Sequence, residues 1–278
     1  MKELKILLIL VVIVLVGYWG IEPYAHSVMH GEVKHPDYEY KDIPKNIPTT
    51  GDPAKGKELF TANCASCHGV KKDGINPGMD ANAAIASFKV VPPDLSNIGA
   101  IVDEHFLAYF IKNPQDATKN PKFAMPPMAQ LSDEDVGNIV AYLKSIEKKD
   151  LDGKEITIEA CGRCHSIKYQ KIEAVTPKDA LKDYLGKVPP DLSVMGKAKE
   201  IEYLESFINN PQNGLPGTSM PRLGLTKEAT EKVVTYLDKI ADPHRDQRNA
   251  LGVWVLGYLV VMAGLTFAWK KKIWKNLH

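Results

Sequence analysis

Cys64-Ala65-Ser66-Cys67-His68 and Cys161-Gly162-Arg163-Cys164-His165 contain all four cysteines of the chain. Cys-x-x-Cys followed at once by histidine is the attachment signature of c-type haem. The two thiols add across the haem vinyl groups, and the histidine binds the iron. A Cys-x-x-Cys pair by itself also suits a redox dithiol or a zinc site. Four sulfurs from the two pairs would complete a tetrahedral zinc shell, but both histidines would then be coincidences. A disulfide framework suits an oxidising compartment, yet a chain of 278 residues is long enough to bury cores without staples. The sequence therefore predicts two covalently bound haem c groups, held by Cys64 and Cys67 and by Cys161 and Cys164, with His68 and His165 as proximal iron ligands.

Working outward, the two motifs lie in copies of one longer segment. Gly56-Lys57-Glu58-Leu59 recurs as Gly153-Lys154-Glu155-Ile156, and Val91-Pro92-Pro93-Asp94-Leu95-Ser96 as Val188-Pro189-Pro190-Asp191-Leu192-Ser193. Asn113-Pro114-Gln115 returns as Asn210-Pro211-Gln212 at the same offset. The register then slips slightly: Met125-Pro126 answers Met220-Pro221, and Tyr142-Leu143 answers Tyr236-Leu237. The period is too long for a solenoid unit, so the pattern reads as two tandem domains.

Both copies read as helical. Asp52-Pro53 predicts a helix start, with Asp52 as cap and proline in the first turn. A second apolar-periodic stretch spans Ile101 to Lys112 and stops before Pro114. Ser132 predicts the cap of a closing helix carrying Val136, Ile139, Val140, Leu143 and Ile146 on one face. In the second copy the corresponding helices are expected over Lys199 to Ile208 and Thr226 to Ile240, with Gly/Pro-rich segments between.

The sixth iron ligand lies outside the haem motif. Met79, Met125, Met128, Met195 and Met220 are candidates, and only Met125 and Met220 correspond between copies. Both precede proline in a loop before the last helix, where a thioether can swing across a haem face; a methionine within a helix is more often packing. Met128 is the rival of Met125. Histidine–methionine ligation fills both axial positions and raises the potential relative to bis-histidine, which points to electron transfer rather than chemistry at iron. The Val-Pro-Pro-Asp-Leu segments are candidates to offer a carbonyl to each proximal histidine. His26, His30 and His35 cluster, and His105 aligns with Glu202; all four read more simply as surface residues than as metal ligands.

With 35 basic and 34 acidic residues the net charge is +1, which excludes a strong electrostatic attraction to nucleic acid. The apolar residues concentrate at the two ends. Ile6 to Ile21 is almost continuously apolar behind Lys2 and Lys5, and Ala250 to Ala268 is a second run ahead of Lys270, Lys271, Lys272 and Lys275. About 20 apolar residues cross a bilayer, and Trp254, Tyr258, Trp269 and Trp274 suit an interfacial belt. The flanking lysines predict that both termini are cytoplasmic and the middle lies outside. A cleaved signal peptide is the alternative for the first run, with Ala25-His26-Ser27 as a loose cleavage site; its length and its Tyr18-Trp19-Gly20 ending favour a retained anchor. The expected divisions are an N-terminal anchor or signal peptide at 1–22, a linker at 23–50, haem domains at 51–148 and 149–242, a C-terminal span at 250–269 and a cytoplasmic tail at 270–278.

Each copy resembles a class I cytochrome c: the Gly-Lys-x-x-Phe helix from Gly56 to Phe60, the haem motif, the Met-Pro loop, and the closing helix with Tyr142-Leu143. The second copy has Thr157 in place of Phe60, which predicts a weaker contact between its first and last helices. The fold class implied is all-α, with two tandem class I cytochrome c domains flanked by transmembrane helices. The whole chain is similar to the dihaem c-type subunit, the cytochrome c1 counterpart, of bacterial cytochrome bc1 complexes (quinol–cytochrome c oxidoreductases). That resemblance rests on the Met1-Lys2-Glu3-Leu4-Lys5 apolar leader into Glu22-Pro23-Tyr24-Ala25-His26-Ser27, the two haem domains and the C-terminal anchor. It implies cytochrome b and a Rieske iron–sulfur protein as partners, and a downstream c-type cytochrome or terminal oxidase as acceptor. It also implies a place in the bacterial inner membrane with the haem domains in the periplasm, and no enzymatic activity of the chain on its own. The dihaem subunit of a cbb3-type oxidase competes, but is usually anchored only at its N-terminal side. A dihaem enzyme such as a thiosulfate dehydrogenase or peroxidase would want an unusual or missing sixth ligand.

Overall fold

The computed structural model describes residues 2–29 and 33–275. Helices α1 (Lys2–Val16) and α2 (Glu22–Met29) are joined by a π-helical turn over Gly17–Ile21. The helix therefore continues past residue 22, the expected limit of the anchor segment. Pro23 has no N–H to donate, and its ring crowds the carbonyl of Trp19. The wider turn absorbs both effects, with the Glu22 N–H reaching back to the Gly17 carbonyl.

The first repeat contains α3 (Pro53–Asn63), α4 (Ala81–Phe88), α5 (Ile98–Ile101), α6 (Glu104–Lys112), α7 (Pro114–Ala117) and α8 (Asp133–Ser145). The second contains α9 (Gly153–Cys161), α10 (Lys178–Leu185), α11 (Met195–Ala198), α12 (Ile201–Asn209), α13 (Pro211–Gly214) and α14 (Lys227–Ala241). A final helix, α15 (Arg245–Trp274), follows. Among the described residues, β-structure is limited to three isolated bridges.

The expected caps form. The Asp52 carboxylate accepts from the Ala54 N–H with Pro53 opening α3, and Ser132 caps α8; Thr226, expected as the first residue of its helix, is the cap of α14. Asp152 and Glu155 complete a capping box on α9. In each repeat the first helix crosses the last at a glycine. A Cβ on Gly56 would lie 2.0 Å from the Asn138 carbonyl oxygen, and one on Gly153 would lie 2.3 Å from that of Lys232. Only a bare Cα permits such approach. Phe60 and Tyr142 pack beside the first crossing with ring centroids 5.8 Å apart. Thr157 turns its hydroxyl back onto the Gly153 carbonyl at 2.6 Å, and the α9–α14 contact is the smaller of the two.

Two sequence expectations fail locally. The stretch from Ile101 to Lys112 is not one helix: Val102 is extended and pairs with Leu225 of the second repeat, while Asp103 caps a fresh start at α6. Helices α4 and α10 stand where irregular Gly/Pro-rich chain was expected; Asp80 caps the alanine-rich α4 by accepting from the Ala83 N–H.

The segment before α3 is not a loose linker either. Tyr40, Ile43 and Ile47 are buried. The Tyr40 hydroxyl donates to the Leu225 carbonyl at 2.6 Å, and Asn209 exchanges hydrogen bonds with the Asp37 backbone. This strap clamps the repeats together. At the ends, Leu4–Met29 and Arg245–Trp274 are apolar enough to cross a membrane, and none of their apolar windows is buried in the protein. The 30 residues of the latter span about 45 Å at ~1.5 Å per residue, against a hydrocarbon core of about 30 Å.

Candidate haem sites

In both repeats the first helix delivers the first cysteine of the motif. Cys64 ends α3 with its N–H on the Phe60 carbonyl, and Cys161 closes α9. The chain then turns so that the histidine N–H bonds the first cysteine's carbonyl at 2.9 Å in each copy. The next segment folds on itself through the bridges Val70–Ile75 and Ile167–Ile172.

The duplicated Val-Pro-Pro-Asp-Leu-Ser turn packs against that segment. His68 Nδ1 lies 2.9 Å from the Pro93 carbonyl oxygen, and His165 Nδ1 lies 2.8 Å from that of Pro190. Burial holds both imidazoles below their ordinary pKa, so the neutral ring donates from Nδ1 to the carbonyl. The Nε2 lone pair is then left for a metal, and the hydrogen bond fixes the ring's tautomer and orientation. Asp94 accepts from the Lys71 and Ser96 N–H groups. Asp191 does the same for Lys168 and Ser193. The two turns are thus held by the same interactions.

None of the four cysteines is in a disulfide. Burial pushes the Cys64 thiol up to about 11 and the Cys161 thiol up to about 12. Among the described residues no group of three or more His, Cys, Asp or Glu side chains comes together to hold a metal. His26 lies 3.7 Å from Glu200, and His30 lies outside the described residues.

A cavity of about 280 Å³ opens beside the first motif. Cys64, Cys67 and His68 form one part of its wall; Phe106, Leu107, Phe110 and Ile111 line the interior, and Met125 and Met128 both border it. The two methionines differ in surroundings. Met128 packs against the hydrophobic core, bonds the Ile111 carbonyl through its N–H and takes a 3.4 Å hydrogen bond at sulfur from Gln130. Met125 sits in irregular chain held through its carbonyl by Gln115 Nε2 at 2.9 Å. In the second repeat Gln212 Nε2 holds the Thr218 carbonyl at 2.9 Å, and Thr218 Oγ1 accepts from the Met220 N–H. The amide of the duplicated Asn-Pro-Gln thus braces the methionine loop in each copy. Its repetition was visible in the sequence; the role was not.

The cavity also crosses the repeat boundary. Arg163 and Cys164 of the second haem motif line it, as do Tyr184, Pro221 and Arg222. The Ala124 N–H donates to the Tyr184 hydroxyl at 3.0 Å, the Asn120 amide to the Ser219 carbonyl at 3.0 Å, and the Arg222 N–H to the Thr118 carbonyl at 3.0 Å. The loops carrying Met125 and Met220 are tied to each other.

The attachment residues, the oriented imidazoles and the apolar cavity suit a flat group bound through two thiols and one nitrogen. The family profile for cytochrome c matches residues 53–147 and 151–241. The chain belongs to the cytochrome c family. It carries two such domains in tandem with an apolar helix at each end, an all-α architecture. Covalent haem c and a role in electron transport follow from that membership, and the terminal helices fit membrane anchoring.

The profile of the cytochrome C1 family matches residues 224–277, covering α14 and α15. The ammonia monooxygenase gamma subunit of Nitrosomonas europaea is 28% identical over 145 residues, 38% of this chain and 62% of that protein. Cytochrome c of Theileria annulata is 28% identical over 116 residues, 39% of this cytochrome and 98% of that one. Cytochrome b/c1 of Bradyrhizobium diazoefficiens is 39% identical over 49 residues, 18% of this chain and 7% of that protein. This cytochrome thus spans less than two thirds of the first relative and a small part of the third. A chain of the solved hyperthermophilic respiratory complex III is 23% identical with a TM-score of 0.36 over the full length of both chains.

Proposed function

We propose that this cytochrome is the dihaem electron-transfer subunit, the cytochrome c1 counterpart, of a bacterial quinol–cytochrome c oxidoreductase. It takes electrons from a Rieske iron–sulfur protein and passes them to a downstream c-type cytochrome or terminal oxidase. Cys64 and Cys67 hold one haem c with His68 and Met125 on the iron. Cys161 and Cys164 hold the other with His165 and Met220. The observation that carries the assignment to such a complex is the cytochrome C1 match over 224–277, which joins the second haem domain to an anchor helix.

The bound haem supplies a one-electron iron couple. The protein's part is positioning. The Pro93 and Pro190 carbonyls orient the His68 and His165 imidazoles, the braced loops would offer Met125 and Met220 to the iron of a bound haem, and apolar walls would keep water away. A filled shell leaves no place for substrate at iron, and thioether ligation favours a higher potential. The flanking lysines support a topology with both termini in the cytoplasm and the haem domains in the periplasm.

The test is purification from native membranes under mild detergent. The subunit is expected with a cytochrome b and a Rieske protein, and to be reduced by quinol only in their presence. Reduction of the isolated chain by quinol at the full rate, or turnover with thiosulfate, overturns the proposal.

A further inference from the structure

Arg222 belongs to the second repeat, two residues after Met220, yet it lines the cavity of the first. It is 2% exposed. Nη1 and Nη2 donate to the Asp42 carboxylate at 2.7 and 2.9 Å. The guanidinium lies 4.7 Å from the Tyr40 ring centroid and 5.7 Å from that of Phe106. Its Nε is buried without an acceptor. Lys119 Nζ is 3.2 Å from Asp42, so two cations share one carboxylate at this corner.

An unpaired buried donor on a charged group carries a desolvation penalty, and an incompletely compensated buried cation carries a larger one. A carboxylate in the cavity that Arg222 lines relieves the second. Haem c brings two propionate carboxylates, on the edge of the ring away from its thioether links. Arginine is the side chain best suited to bind such a group while already paired, because its planar fork presents five donors.

We propose that Arg222 binds a propionate of the haem attached at Cys64 and Cys67, so that the second domain supplies a charged partner to the first domain's cofactor. The inference rests on the reading that the first repeat holds haem c. A cation beside the propionate disfavours the oxidised iron and raises that haem's potential, and Asp42 works against it. The strap, through Asp42, then belongs to the tuning of the first haem as well as to domain docking.

The experiment is a spectroelectrochemical titration of the full-length protein and of Arg222→Gln, Arg222→Lys, Asp42→Asn and Arg163→Gln, with haem content measured on each. Arg163 lines the same cavity and also has a buried Nε without an acceptor. Arg222→Gln is expected to lower the first haem's potential by about tenfold in the reduction equilibrium, about 59 mV for one electron. Asp42→Asn should raise it, Arg222→Lys should stay near wild type, and the second haem should hold its value. A docking strut alone would have Arg222→Gln and Asp42→Asn move both haems the same way, and that result overturns the proposal. So does a shift in Arg163→Gln with none at Arg222. Where Arg222→Gln does not accumulate, the sign of the Asp42→Asn shift decides. Wild-type protein with fewer than two haems overturns the haem reading itself; two haems with unmoved potentials overturn only the role of Arg222.

Discussion

With Met125 as the proposed sixth ligand of the first haem, Tyr184→Phe should loosen it from across the domain boundary. The Tyr184 hydroxyl takes the Ala124 N–H at 3.0 Å, one residue before Met125. Burial raises the Tyr184 pKa, so the phenol stays protonated at neutral pH and available as an acceptor. Phenylalanine fills the same space but leaves that N–H without a partner. An orphaned buried donor costs about 1–3 kcal/mol, and Ala124 is only half-buried, which favours the lower end. At about 1.36 kcal/mol per pH unit, a loss of about 1 kcal/mol increases the ligand-off population roughly fivefold. The alkaline exchange of Met125 for another ligand should then begin about 0.7 pH unit lower. The assay is a pH titration of the weak red absorption band of iron–methionine ligation in the oxidised protein. A Met220→Ala background leaves only the first haem to report. An unchanged midpoint, or an equal shift of the second haem when Met220 is intact, would refute the argument that this hydrogen bond holds the loop.

Met125→Ala should abolish the iron–methionine band of the first haem, whereas Met128→Ala should keep the band and reduce thermal stability through lost packing. Gly56→Ala forces a Cβ to within 2.0 Å of a backbone carbonyl; we expect a loss of about 1–3 kcal/mol or more in urea denaturation, with Gly153→Ala falling in the same range. The Arg222 guanidinium beside Asp42 holds its carboxyl down from 3.8 to about 2. The stability this contributes is fully present above the unfolded value and is lost as pH falls through the folded one. Asp42→Asn should therefore flatten the pH dependence of the urea midpoint in that window. Removing Leu251 onward should leave protein held by its N-terminal helix, with haems that still cycle between redox states, while stopped-flow reduction by quinol in membranes slows sharply.

Local chemistry made much of the site legible. The haem motifs, the caps at Asp52 and Ser132, the Met-Pro loops and the carbonyl-bearing Pro-Pro turns each lie in a few consecutive residues. Duplication then separated meaningful features from chance ones. What escaped the sequence depends on contacts between distant segments. Tyr40, Ile43 and Ile47 fall at i, i+3 and i+7, but Pro44 and Pro48 break the helix that this spacing would suggest, so nothing in the strap announces burial. Val102 leaves its helix to pair with Leu225, more than a hundred residues away. Gly186 at φ +77 ends α10, and Asp80 starts α4; these are ordinary helix signals, obscured by the prolines around them. Arg222 and Tyr184 reach into the other repeat's cavity, and no local pattern marks a side chain that serves a neighbouring domain.

The placement of Cys164 and Arg163 in the wall of the first cavity bears on why two haem domains share one chain. Domains joined by a flexible linker would have to find each other for every transfer, and two single haem carriers would have to collide. Here the strap, the Val102–Leu225 bridge and the paired methionine loops fix the domains together. The second attachment site borders the space of the first. With a haem at each site, as proposed, an electron arriving at either would meet a fixed neighbour, and reorganisation of the domains would drop out of the internal step. The same ties let residues of the second repeat serve the first: Tyr184 braces the Met125 loop, and Arg222, next to Met220-Pro221, lines the first cavity. Uncoupling the pair should therefore require breaking the interface at several points, since each tie is individually modest and the others would still hold the register.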